Sequence, residues 1–134
     1  MGPREEQARK RLVAHWLAKA QTDLRAAEAL LSHQPPLLYP SCFHSQQSVE
    51  KHLKALLTWH QVEFPKTHAI GELLDLLAKV DPALAKSLGD ATALNPYGVE
   101  IRYPSDEPEP GAGDTAAALA LAKEVRDAVT RSLP

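Results

Sequence analysis

Residues 41–57, SCFHSQQSVEKHLKALL, limit what this chain can fold into more than any other stretch. At about 100° per residue, the step of an α-helix, Phe43, Val49, Leu53, Leu56 and Leu57 fall on one broad arc. Gln46 and Glu50 fall inside that arc, four apart, so they stack one turn above the other. Beside them runs a strip of His44, Gln47, Lys51, Lys54 and Thr58. The helix therefore has an apolar face to be covered, a polar seam at its edge and a basic flank.

The rest of the chain supplies the cover. The spacing predicts a helix over 4–32, with Leu12, Trp16, Ala20, Leu24, Ala27 and Leu31 as its core stripe. Its dense charge from Arg4 to Arg11 projects into solvent. Pro35 and Pro36 end it, because proline lacks the N–H and clashes with the preceding turn. Ser41 is the expected N-cap of the second helix, 41–60. Phe64–Thr67 breaks that helix. A third helix, 68–79, carries Leu73, Leu74 and Leu77, with Val80 just beyond. Asp81-Pro82 starts a fourth, 82–94, with Asp as cap and Pro at the first helical position. Residues 105–113 are acidic and rich in Pro and Gly and read as a mobile surface loop. Asp114 is the expected cap of the last helix, 114–132, whose stripe is Leu119, Ala122, Val125, Val129 and Leu133.

No run alternates with a strand period, so the expected fold class is all-α. Short connections make it an up-and-down antiparallel helical bundle of about five helices. It forms one domain, 1–134, with 1–11 as a charged extension. Trp59 lies off the main arc and is expected at an interface or against another helix. A net charge of −2 excludes the basic footprint of a general nucleic-acid binder. The single cysteine, Cys42, excludes an intrachain disulfide and suits a reducing compartment. The N-terminus is charged and no apolar run reaches membrane-spanning length, so the expected location is cytoplasmic.

For chemistry, the six histidines include no pair at the i,i+4 spacing that sets two imidazoles on one helix face, so no metal site is expected. Cys42, at a helix start, reads as a small buried hydrophobe before it reads as a nucleophile. No Gly-rich phosphate loop occurs, and no cofactor is expected. The Gln46/Glu50 seam has two readings. In one, Glu50 pairs with a cation from another helix, with Arg102 as candidate. In the other, the seam belongs to a polar ligand pocket. The flank of His44, Gln47, Lys51 and Lys54, closed over by Lys66, His68, Arg102 and Tyr103, is the expected ligand-binding site. Arg, Lys and His grip phosphate through charge-assisted hydrogen bonds there, and Tyr97 or Tyr103 stacks on a base.

Four segments in order carry a resemblance. CFHSQQSVEKHLKALL is similar to the signature helix of HEPN domains, the nucleotide-binding domains of higher eukaryotes and prokaryotes. AKAQTDLRAAEALL resembles the first core helix, PKTHAIGELLDLL the segment after the signature helix, and YGVEIRYP the tyrosine-arginine-tyrosine-proline loop. The resemblance implies a helical bundle, frequently a homodimer, commonly paired with a small nucleotidyltransferase. Many members are ribonuclease toxins using Arg, four to six residues, then His on a late helix. Here no histidine follows Arg102. Arg9 and His15 have that spacing by chance, outside the matching region. The resemblance thus implies a binding module for a nucleotide or a nucleotidyltransferase partner, in a two-gene, toxin–antitoxin-like system, without a catalytic set. The alternatives are a metal-independent ribonuclease with a non-standard site, and a structural or antitoxin-like subunit.

Overall fold

The structure, a computed structural model, describes residues 1–99, 103 and 109–134. Helix α1 spans Pro3–Ser32, α2 Leu38–Trp59, α3 Ile70–Ala78, α4 Pro82–Ser87 and α5 Ala112–Ser132. A 3₁₀ helix, Gly89–Tyr97, follows α4. There is no strand among the described residues. Helix α2 is central: it packs chiefly on α1 and α5, and also on α3 and the 3₁₀ helix.

Pairings between helices give their directions. Ser41 Oγ donates to the Ala27 carbonyl at 2.7 Å, Ser48 Oγ to that of Ala20 at 2.9 Å, and Arg9 Nη1 to that of Trp59 at 3.0 Å. The partner number falls as the α2 number rises, so α1 and α2 are antiparallel. From there α3 leads away and the 3₁₀ helix returns beside it, Ile70 N–H donating to Asn95 Oδ1 at 2.9 Å, and α5 starts beside the first turns of α2, with Thr115 Oγ1 3.4 Å from Cys42 Sγ. The bundle is up-and-down, with a broken third leg. The core runs through all legs, from Leu24 and Ala27 past Leu53, Leu56 and Leu57 to Leu73, Leu94, Ala122 and Val129.

Several boundaries differ from the sequence expectation. Helix α2 starts three residues before Ser41, with Pro40 inside its first turn, where a missing N–H costs nothing. Ser41 is therefore a buried interhelical donor and not a cap. Helix α2 ends before Phe64: Gln61 takes φ 59°, its N–H reaches the Thr58 carbonyl at 3.1 Å, and Val62 N–H reaches that of Leu57 at 2.9 Å. Those two bonds are a Schellman stop. Helix α3 starts after His68 and Ala69. The expected helix 82–94 splits at Leu88 into α4 and the 3₁₀ helix. Asp81 caps α4 as expected, accepting from Leu84 N–H at 3.2 Å. Asp114 is the third residue of α5 and reaches back to Gly111 N–H at 2.9 Å. The expected loop at 105–113 thus yields its last two residues to α5, and 105–108 lie outside the described residues.

Two core assignments also change. Leu12 is 48% exposed, and Val13 faces the bundle instead. Val80, past the end of α3, is exposed as well. Arg9 leaves the solvent: its guanidinium stacks 4.0 Å over the Trp59 ring, which fixes Trp59 against α1. No helix of the described residues is long and apolar enough to cross a membrane.

Candidate functional site

The seam and the flank of α2 meet two buried carboxylates, each with one histidine and one lysine as partners. The first is Asp23 of α1, itself buried. Its Oδ1 lies 2.8 Å from His44 Nδ1, and its Oδ2 pairs with Lys51 Nζ. The second is Glu50, whose Oε1 lies 2.6 Å from His68 Nδ1 and 3.7 Å from Lys54 Nζ. In both pairs the imidazole turns Nδ1 to the carboxylate and is left with Nε2 for other contacts. A carboxylate behind a histidine fixes ring orientation and tautomer.

Among the described residues, the lysine that Glu50 meets comes from its own helix. Lys54, one turn further along α2, is buried, and its ammonium also lies 5.5 Å from the Trp16 ring centre and 5.9 Å from that of Phe64. Two aromatic faces and a carboxylate together make a buried ammonium tolerable. Lys54 therefore serves the seam and not the surface flank to which its spacing assigns it. His68, from the α2–α3 connection, completes the pair with its side chain 70% exposed against 2% for Glu50.

Gln46 is fully buried. Its Nε2 donates to the His68 carbonyl at 3.0 Å, and its Oε1 accepts from Gln47 Nε2 at 2.7 Å. Gly98 lies directly on this side chain: a Cβ there would meet Gln46 Nε2 at 3.3 Å. Asn95 Oδ1 accepts from Ile70 N–H at 2.9 Å, and Tyr39 Oη donates to the Val99 carbonyl at 2.7 Å. The segment leading toward residue 100 is thereby fastened over the seam.

Of the expected site residues, the structure brings His44, Gln47, Lys51 and His68 to the outer side of α2. Lys66 is exposed on the α2–α3 connection. Tyr103 is 67% exposed. Arg102, the expected phosphate clamp and alternative Glu50 partner, lies outside the described residues. Tyr97 turns inward, edge-on to Tyr39 at 5.9 Å between ring centres, and is not a stacking platform. Asp23 escapes the sequence reading, although its signal was present. It interrupts the stripe of Ala20, Leu24 and Ala27 on α1 as Glu50 interrupts that of α2.

The remaining candidates are structural. Cys42 is buried, its Sγ 3.4 Å from Thr115 Oγ1, and burial pushes its thiol pKa up, against any role as thiolate. His52 is buried, with Nδ1–H donating to the Ser48 carbonyl at 2.9 Å, and burial lowers its pKa to about 4. No group of three or more His, Cys, Asp or Glu among the described residues is placed to hold a metal ion.

An all-α bundle whose central helix carries this polar seam defines a class of small helical module. The HEPN domain profile matches residues 13–132, and the chain belongs to the HEPN domain family. Its fold is similar to the crystal structure of TT1696 from Thermus thermophilus, with a TM-score of 0.70 and 28% identity. That alignment covers 90% of this chain and 98% of the other. No curated protein matches.

Proposed function

We propose that the chain is a HEPN-type binding module that holds a nucleotide on the outer face of α2 and does not cleave RNA. The observation that carries this reading is the pair of buried carboxylates orienting His44 and His68 on either side of Gln47 and Lys51. Groups held in one geometry before a ligand arrives lose little entropy when it binds. Lys51 and Lys54 are each opposed by a carboxylate, so the face offers aimed hydrogen bonds more than net charge. Lys66 and Arg102 supply the phosphate's countercharge in this reading, and arginine suits it through its planar fork. Cleavage would need a histidine base beside Arg102, which the sequence after Arg102 lacks.

Calorimetric titration with AMP tests the reading. Lys51→Ala and His68→Ala should each weaken binding clearly while the fold persists. Arg102→Ala should weaken binding and leave the ligand-free melting temperature unchanged, because Glu50 already has His68 and Lys54 as partners. No binding by the wild type would overturn the proposal. RNA cleavage abolished by His68→Ala would replace it with the ribonuclease alternative.

We also propose a homodimer working with a small nucleotidyltransferase, the partnership that family membership suggests. Exposed Leu12 and a 420 Å³ cleft lined by Val13, Leu17, Trp59 and Leu133 leave apolar surface for a second copy to cover. A monomer by sedimentation at tens of micromolar, roughly the upper range of specific interfaces, would contradict the dimer.

A further inference from the structure

The net charge of −2 averages over an uneven chain. Residues 1–59 carry eight Lys and Arg against five Asp and Glu, and residues 60–134 carry seven against twelve. The surplus gathers on one face of α1. At about 100° per residue, Arg4, Arg11, His15, Lys19 and Arg25 fall within about 120° of arc, opposite the buried stripe of Ala20, Leu24 and Ala27. All five are exposed, and no Asp or Glu of α1 falls within that arc. From Arg4 to Arg25 the face is about 31 Å long, at roughly 1.5 Å per residue. Elsewhere on the long helices, Lys10, Lys51, Lys54, Lys123 and Arg126 each meet a carboxylate, and Arg9 lies on Trp59. Among the described residues, Arg4, Arg11, Lys19 and Arg25 meet no carboxylate. A cation already paired adds little attraction for a polyanion. An unpaired one neutralises a phosphate, and the counterions condensed on the nucleic acid are released.

The face has what a phosphate backbone needs and lacks what other partners need. Between the cations stand Ala8, Ala18, Thr22 and Ala29, and the arc holds no Phe, Tyr, Trp or large aliphatic side chain. Protein interfaces centre on aromatic and apolar anchors. A helix lying in a membrane surface needs Leu, Phe or Trp beside its basic face. A single strand is held by stacking successive bases on aromatic rings. A duplex needs none of these, because its phosphates point outward and carry half or more of the contacts proteins make with it. Arginine, three of the four unpaired cations here, meets phosphate with two parallel hydrogen bonds. We infer that the solvent face of α1 docks a nucleic-acid duplex by its phosphates, without reading its sequence. This stands apart from the nucleotide reading, whose residues lie on α2 and the connection after it.

Fluorescence anisotropy of the full chain on a labelled DNA duplex of about 20 base pairs, twice the length of the face at roughly 3.4 Å per pair, tests this. Binding should be micromolar at about 50 mM salt and fall about a hundredfold by about 200 mM, as neutralising four phosphates requires. A duplex of unrelated sequence should bind equally, and an RNA duplex of the same length should bind too, because the phosphodiester is shared. Arg11→Ala should weaken every duplex alike and make the salt dependence shallower by about one phosphate. The double variant Arg11→Ala, Lys19→Ala should weaken binding about tenfold or more at low salt, with its circular dichroism and its AMP titration unchanged. Lys79→Ala, Lys86→Ala, an equal loss of charge on the α3–α4 side, should leave duplex binding as it is. No binding at low salt would overturn the inference. Equal weakening by the Lys79 and Lys86 pair would overturn it as well, by making the effect one of net charge. An RNA duplex that failed to bind would show that the sugar is read and would sink a dock made of phosphates alone. Tighter binding to a single strand or to phosphatidylserine vesicles than to the duplex would overturn it by giving the face another occupant.

Discussion

Glu50 and His68 lie 2.6 Å apart across the boundary of the molecule, the carboxylate 2% exposed and the imidazole 70%. The seam of α2 thus reaches solvent through a ring that belongs to the next connection. Behind Glu50 stands Lys54, so the carboxylate is shared between an inner and an outer partner.

The inner partnership should dominate stability. Removing one member of a buried pair leaves the other charge uncompensated, at roughly 3–5 kcal/mol. Glu50→Gln should therefore lower the melting temperature strongly, because it strands the Lys54 ammonium. The double variant Glu50→Gln, Lys54→Met should recover most of the loss. Chemical denaturation of the four proteins measures the coupling. Additive losses would show that the two charges do not support each other. His68→Ala, on the exposed side, should cost about 1 kcal/mol or less.

His52 predicts a pH dependence of stability with a definite sign. Burial holds its folded pKa near 4, against an ordinary value of 6.5. Between those values the unfolded chain binds a proton that the folded chain refuses, so stability rises with pH across this window. The full span is about 3 kcal/mol, lost as pH falls from 6.5 toward 4. His52→Leu should flatten the slope there, as read from urea midpoints at several pH values. An unchanged slope would place the titration elsewhere.

Much of the fold was legible because helices announce themselves by period. The stripes of α2, α3 and α5 lie where spacing puts them, as does the Asp81-Pro82 start. What misled was local chemistry serving a distant partner. Ser41 looks like a cap because serine favours caps, yet its hydroxyl binds the Ala27 carbonyl of α1. Lys54 looks solvated, yet Trp16, Phe64 and Glu50 enclose its ammonium. The seam's existence was readable from Gln46 and Glu50 alone. Neither His68 as the seam's partner nor Asp23 as the flank's was readable, because one-helix geometry says nothing about which residue another segment brings.

The Schellman stop after α2 carries a residue in a costly conformation. Gln61 sits at φ 59°, where a side chain costs about 1 kcal/mol and glycine costs almost nothing. Gln61→Gly should therefore be more stable than Gln61→Ala by about 1 kcal/mol, a comparison in which neither variant keeps the glutamine's own contacts. Equal stabilities would mean that α2 ends in solution by another geometry.

Asp23 offers the sharpest separation between a flank that binds an anion and one that is merely solvated. Its carboxylate neutralises Lys51 and orients His44. Asp23→Asn keeps an oxygen for His44 Nδ1–H to donate to and removes the charge. The folded state should lose stability, since Lys51 loses its counterion. If a nucleotide phosphate sits on this face, its affinity should rise, because a negative charge has been withdrawn from its surroundings. At an effective dielectric between that of a protein surface and water, the gain is about 1 kcal/mol, roughly a fivefold drop in Kd. Its dependence on ionic strength should steepen at the same time. Calorimetry on the variant at two salt concentrations measures both. A variant that is less stable and binds more weakly would mean that Asp23 acts mainly by holding His44 and Lys51 in place.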